Sequence, residues 1–405
     1  MLYQAYQAHS DLLAPAQIAA AAAASWLTHG AFALQDSPAL RRLAAGWEVF
    51  SRARLTHERP PFDIRCVEVG GRELRVSERV FHATPFATLL RFEREDEPRG
   101  LPKVLIAAPL SGHFATLLRD TVRTMLPDHD IYITDWHNAR HVPLSEGPFG
   151  LDDYIEHMIQ FIERLGAGTH LVAVCQPCVP VLAAVALMAA NKHPAQPASM
   201  TLMAGPIDCR VNPTKVNELA TSRDIDWFER HLIAHVPLRF PGALRRVYPG
   251  FLQLSAFLSM NLERHLKAFG DLYSHVADGD HERARTTREF YDEYFAVNDL
   301  PAEFYLETVK LVFQDFALAK GELSVRGERV DTSAIRRTAL FTVEGERDDI
   351  CAIGQTVAAH DLCSGLAPYM KQHHVQLGVG HYGVFSGRRW QQQIYPRVRE
   401  MIYGC

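Results

Sequence analysis

The chain has 405 residues, 47% hydrophobic and 22% charged, so it can bury a large core, and wholesale disorder is excluded. Its 42 Lys and Arg against 47 Asp and Glu give a formal net charge of −5, without the basic surplus of a nucleic-acid binder, and no nucleic-acid partner is expected. Seven Cys in a chain of this length form no disulfide scaffold, and an odd count suits a reducing compartment such as the cytoplasm.

Residues 1–57 read as helical. Met1–Leu13 contain no Lys or Arg, so the basic region of a secretory signal is missing. The Ala-rich run Ile18–Leu27 favours helix. It is shorter than the roughly 20 apolar residues that cross a bilayer, and no transmembrane segment is expected. Leu12, Leu13, Ile18, Trp26, Leu27 and Phe32 add apolar bulk. The segment either packs on the main domain or touches an apolar surface such as lipid or a polymer particle. The lack of a basic face counts against a membrane surface. Residues 62–93 alternate like strands, with Val69-Gly70-Gly71-Arg72 as a tight turn between Ile64–Val69 and Leu74–Val76. The charged stretch Glu93–Arg99 reads as a solvated loop.

Strand and helix then alternate. Val104–Ala108 is a buried strand, Phe114–Met125 a helix, Ile131–Thr134 a strand and Leu151–Leu165 a helix. His170–Val174 is a strand, Val179–Ala190 an apolar helix and Met200–Met203 a further strand. This rhythm implies a mostly parallel sheet with helices on both faces. It stops over 209–332, which is mainly helical in pattern and rich in aromatics such as Trp227, Phe228, Phe240, Tyr248, Phe251 and Phe257. A second aromatic cluster runs from Phe290 to Phe316. The alternation resumes with strand Ala339–Val343, helix Ile353–Cys363, strand His374–Leu377 and helix Phe385–Ile402. The expected organisation is a helical segment 1–57, a first core part with an N-terminal hairpin at 58–208, a helical cap at 209–332 and a second core part at 333–405.

The most informative segment is His170-Leu-Val-Ala-Val-Cys175-Gln-Pro-Cys178-Val-Pro180. A strand ends and a helix begins at Cys175, as at the nucleophile turn of α/β-hydrolases. A helix N-terminus there stabilises a thiolate and offers free N–H groups to an oxyanion. Pro177 suits a first helical turn. Cys175 and Cys178 also form a C-x-x-C, a redox spacing that neither the chain length nor the insertion favours. No second C-x-x-C or paired His has zinc-ligand spacing, so no metal is expected.

A nucleophilic Cys needs a base, and the base an orienting acid. The strand ending at Val343 leads into Glu344-Gly345-Glu346-Arg347-Asp348-Asp349, where Asp348 is the candidate acid and Asp349 its close rival. The next strand leads to Gly378-Val379-Gly380-His381-Tyr382-Gly383, a glycine-rich loop that can bring His381 over Cys175. The order Cys, Asp, His matches the Ser, Asp, His order of the hydrolase fold. The backbone N–H of Gln176 and one from Leu110, Ser111 or Gly112 are the candidate oxyanion donors. Asp135 and Trp136, at a strand's C-terminal end, are candidate pocket residues, and Tyr382 beside His381 is another.

Together these residues resemble the intracellular poly(3-hydroxybutyrate) depolymerases of bacteria. The resemblance runs over nearly the whole chain, through Met1-Leu2-Tyr3-Gln4, Ala108-Pro109-Leu110-Ser111-Gly112-His113, Ala115–Thr124, Thr134-Asp135-Trp136, Val174-Cys175-Gln176-Pro177, Gly205-Pro206-Ile207-Asp208, Arg246–Phe251, Phe290–Tyr294 and Gly380-His381-Tyr382-Gly383. It implies an α/β-hydrolase fold with a large, mainly helical inserted cap. It also implies a Cys175–His381–Asp348 triad, no cofactor, and action on amorphous polymer at cytoplasmic storage granules, the granule surface being the partner. Cys178 stands where the resemblance leads one to expect Thr or another non-thiol residue. Two rivals share these features: an acyltransferase of the polyester-synthase type, and a non-catalytic granule-surface protein bound through its N-terminal helices.

Overall fold

The computed structural model describes residues 2–29, 37–96, 100–260 and 262–405. Phe32, the end of the charged stretch 93–99 and the Phe257 side chain lie outside the described residues. Helices α1 (Leu2–His29) and α2 (Pro38–Arg52) open the chain. The hairpin β1 (Cys66–Val69) and β2 (Arg72–Ala83) turns on Gly70 and Gly71, at φ 58° and 76°. Two left-handed residues match the turn to the twist of the strands. Then come β3 (Ala87–Arg94), β4 (Lys103–Ala107), α3 (Arg119–Met125), β5 (Asp130–Trp136), α4 (Leu151–Leu165), β6 (His170–Val174), α5 (Cys178–Ala190) and β7 (Ser199–Met203).

The insertion follows. Its helices are α6 (Lys215–Thr221), α7 (Ile225–Leu232), α8 (Gly250–Met260), α9 (Leu262–Asp278), α10 (His281–Tyr294) and α11 (Ala302–Glu307). It also holds strands, which the helical pattern did not announce: β8 (Ala234–His235), β9 (Arg246–Tyr248) and β10 (Leu300–Pro301) form one small sheet, and β11 (Ser324–Val325) and β12 (Glu328–Arg329) a hairpin. The main sheet resumes at β13 (Ala339–Gly345) and β14 (Lys371–Gln376).

The nine-stranded sheet has the order β1-β2-β3-β5-β4-β6-β7-β13-β14. The pairs among β1, β2, β3 and β5 are antiparallel, and every pair from β5 through β4, β6, β7 and β13 to β14 is parallel. This is the strand order of the α/β-hydrolase fold, extended by one edge strand. Each strand is sorted by its period of two. Leu105, Leu171, Ala173 and Leu340 face α4 and α5; Val104, Ile106, Val172, Val174 and Phe341 face α3 and the C-terminal helix Tyr395–Tyr403. Burying each such side chain stabilises the fold by roughly 1.5–3 kcal/mol, an upper range because unfolded chains already bury some surface.

Two expected helices are broken. Over 353–363 only Ala359–Leu362 is α-helical. The reason is Glu344, fully buried at the end of β13, whose Oε1 accepts backbone N–H bonds from Gly354 (3.0 Å), Thr356 (2.8 Å) and Val357 (3.0 Å). Those amides bond a carboxylate instead of a preceding helical turn. The C-terminal helix holds a π-helical stretch at Trp390–Ile394 just before Pro396, which has no N–H to give.

The N-terminal helix packs on the body through one face. Tyr3 is fully buried and donates to Asp299 at 2.5 Å, while Tyr6 stacks on Phe251 at 3.9 Å between ring centroids. Asp299 also accepts from the backbone N–H of Gly250 at 2.9 Å. Burial pushes its carboxyl pKa up, against the bonds from Tyr3 and Gly250. The outward face carries Leu12, Ile18 and Trp26, all exposed. Among the described residues no helix is long and apolar enough to cross a membrane.

Candidate functional site

Three loops meet at the C-terminal ends of the parallel strands. The first turns from β6 into α5. Cys175 has φ +67°, a left-handed conformation that costs a non-glycine residue roughly 1–2 kcal/mol. Its N–H donates to Met203 at 2.8 Å, and its carbonyl accepts from Cys178 N–H at 3.1 Å. Gly205, just beyond β7, leaves room for this turn. A Cβ there would overlap the Cβ and Sγ of Cys178 and lie 3.1 Å from the Cys175 carbonyl. Nothing in the Gly205-Pro206-Ile207-Asp208 motif itself announces this role.

The second loop follows β13. Asp348 is buried and Asp349 exposed. Asp348 Oδ1 accepts from the backbone of Ile350 at 2.9 Å and Cys351 at 2.8 Å, leaving Oδ2 to bond His381 Nδ1 at 2.8 Å. The third loop carries His381 and is tied to the second by Arg347 N–H donating to Val379 at 2.8 Å. His381 is buried, and Cys175 lies near enough to act on its charge. Burial alone would lower its pKa. The charges of Asp348 and Cys175, with the bond to Asp348, outweigh that and hold it well above the ordinary histidine value. The structure thus joins His381 to Asp348 and sets Cys175 beside them, the grouping a base-activated thiol requires.

Cys178 takes no part in that grouping. It is fully buried, its thiol bonds the carbonyls of Ala173 (3.4 Å) and Met203 (3.6 Å), and burial pushes its pKa up, so the C-x-x-C spacing reflects packing rather than a paired redox site. Among the described residues, no group of three or more His, Cys, Asp or Glu has metal-holding geometry.

Cys175 opens into a cavity of about 390 Å³. Leu110, Ser111 and Gln176 line it from the core, and Phe228, Tyr248, Leu300, Phe304, Tyr305 and Phe313 from the insertion. The wall is mainly apolar, which suits an uncharged ligand held by few directed bonds. The other aromatics divide: Tyr291, Tyr294 and Phe295 form a core within the insertion, packed with Phe269. Gln253, on α8, was not anticipated. It lines the cavity and its Nε2 donates to the Ser111 carbonyl. Gly112 has φ +92°, and a Cβ there would fall 2.7 Å from the Gln253 amide.

Three expected pocket residues do not line this cavity. Asp135 is buried in an ion pair with Arg59 at 2.5 Å. Trp136 is buried, stacks on Tyr154 at 4.1 Å and donates to the Ala108 carbonyl at 2.9 Å. The end of β5 is covered because β3 pairs along it to Trp136 and Arg59 lies against Asp135, so the strand-end rule does not lead to a ligand there. Tyr382 sits beside His381, with ring centroids 5.9 Å apart, and packs against Phe385 and the core of the insertion.

No curated protein is a match. Among solved structures the chain is similar to a candidate lipase of Acinetobacter baumannii AYE, at 12% identity and TM-score 0.44 over 82% of this chain and 93% of that one. It is similar too to the 2-hydroxy-6-oxo-6-phenylhexa-2,4-dienoate hydrolase of Rhodococcus sp. strain RHA1, at 11% identity and TM-score 0.42 over 82% and 100%. Residues 204–405 match the family model described as PHB de-polymerase C-terminus, and this span holds the insertion and the loops bearing Asp348 and His381. From Ala204 to Cys405, the chain belongs to the PHB depolymerase C-terminal family of ester hydrolases.

Proposed function

We propose that this protein is an intracellular polyhydroxyalkanoate depolymerase that hydrolyses the esters of amorphous poly(3-hydroxybutyrate) at storage granules. The observation carrying this reading is the Asp348–His381 pair beside Cys175 at an apolar cavity, in a chain with the depolymerase family match. The Cys175 proton passes to His381, and the sulfur attacks the carbonyl carbon of a 3-hydroxybutyrate unit. Asp348 holds the ring tautomer and stabilises the imidazolium. Backbone N–H groups of Gln176 and the 110–112 loop receive the oxyanion. The C–O bond breaks, the alcohol leaves with the His381 proton, and a thioester remains. Water then attacks the thioester, giving a proton to His381, and the acid departs as the Cys175 thiol re-forms. The apolar wall suits a polymer that has no charge to grip.

The test is release of 3-hydroxybutyrate or its oligomers from amorphous polymer. The wild type releases product and Cys175→Ala does not. An alanine variant with undiminished release rules out the thiol mechanism. A wild type that binds granules but releases nothing removes the function.

A further inference from the structure

The side chain of Gln176 carries a feature that the mechanism above leaves unused. The backbone N–H of Leu110 donates to Gln176 Oε1 at 3.3 Å. An N–H needs an acceptor, so this bond fixes which end of the amide is oxygen. Nε2 therefore faces the other way, where it is buried and, among the described residues, bonds no protein atom. Gln176 itself is 9% exposed and lines the cavity beside Cys175. Among the described residues its backbone N–H also finds no acceptor. A buried NH₂ without a partner is costly, and such exceptions call for a functional explanation. On the far side of the same loop Gln253 repeats the pattern: Nε2 donates to the Ser111 carbonyl, while Oε1 is buried without a partner among the described residues.

We propose that the Gln176 side-chain amide stands in for the substrate carbonyl, its Oε1 occupying the Leu110 N–H that the oxyanion takes during reaction. An arriving ester carbonyl displaces it. The exchange favours the transition state, because an anionic oxygen makes a bond about twice as strong as a neutral amide oxygen does. Gln176 is thus a positioning residue acting through Leu110, and its side chain opposes substrate where its backbone N–H assists it. The inference rests on the ester-hydrolase reading of this site.

The test compares wild type, Gln176→Met, Gln176→Ala and Gln176→Glu on a soluble p-nitrophenyl ester, with a trifluoromethyl ketone as second probe. The Cys175 sulfur adds to the ketone carbon, its proton passes to His381, and the ketone oxygen becomes the bound oxyanion. Freeing Leu110 removes one neutral hydrogen bond from the resting state. Gln176→Met and Gln176→Ala should therefore raise kcat/KM by about two- to tenfold and tighten the ketone by a similar factor. Gln176→Glu places an anion on the Leu110 N–H and should weaken both by more than about tenfold. Lower kcat/KM with weaker ketone binding in both Gln176→Met and Gln176→Ala would mean that the amide supports the reaction, and would overturn the proposal. Unchanged values in both would overturn it as well. Should the wild type neither turn over the ester nor add the ketone at Cys175, the hydrolase reading falls first, a result distinct from a wild type that is active and variants that are no faster.

Discussion

Asp348→Asn separates the orienting acid from its exposed neighbour. The Asp348–His381 contact is 2.8 Å, between two buried groups. At an effective dielectric of about 20, a unit charge pair at that distance is worth roughly 6 kcal/mol. At 1.36 kcal/mol per decade that bounds the loss at about four orders of magnitude in kcat/KM. Asparagine also presents an NH₂ or a carbonyl where a carboxylate accepted. If the ring accepts from that NH₂ at Nδ1, its proton moves to Nε2 and the base is lost. Asp349 is exposed, and Asp349→Asn should stay within about twofold of wild type. The pair also shapes stability. His381 is held above its unfolded value, so its contribution is complete below about pH 6.5 and is lost as pH rises through the raised folded value. The stability gap between wild type and Asp348→Asn should therefore be widest in mild acid and narrow toward alkaline pH, as read by urea unfolding. The activity assay is turnover of a short p-nitrophenyl ester. Asp348→Asn within tenfold of wild type, or an equal loss in Asp349→Asn, refutes the assignment.

Gly205→Ala should destabilise by roughly 1–3 kcal/mol in urea unfolding and depress turnover, because the new methyl overlaps Cys178 and crowds the Cys175 carbonyl; wild-type stability would show that the turn yields easily. Cys178→Ala should keep turnover within about threefold, since its thiol bonds only strand-end carbonyls. Mild peroxide or diamide should yield no Cys175–Cys178 linked peptide, and mass spectrometry detecting one would reverse that reading. Tyr3→Phe should cost roughly 1–3 kcal/mol at neutral pH by removing a buried donor to Asp299. Burial raises the Asp299 pKa, so this carboxyl weighs least on the fold in acid and more as pH rises through its folded value. The Tyr3→Phe deficit should shrink toward pH 4, and a pH-independent deficit would exclude Asp299 as its cause.

The parallel strands were legible because each is short, apolar and bounded by turn residues, and β6 and α4 fall where the pattern puts them. Cys175, Asp348 and His381 stand out as candidates because each follows closely on a strand's end. What sequence could not reach were contacts between distant segments. Glu344 reads as one more strand residue, yet its buried carboxylate draws the 354–357 amides out of a helix. Asp135 and Trp136 were misjudged because Arg59, far away in sequence, pairs with Asp135, and Trp136 turns into the core. Gln253 lies 142 residues from Ser111, and nothing local marks the bond between them.

The Tyr3–Asp299 bond joins residues 296 positions apart and sets a schedule for synthesis. At roughly 5–20 residues per second, the third residue waits about 15–60 s for its partner to be made. Until then Tyr3 has no partner on the insertion, and Leu12, Ile18 and Trp26 lie on a helix that has α2 but not the insertion to pack on. The central sheet is delayed too, because β13 lies between β7 and β14 and is made only after the insertion. A nascent chain of this protein therefore spends much of its synthesis with an apolar N-terminal helix and an open β7 edge, two surfaces on which holding chaperones act.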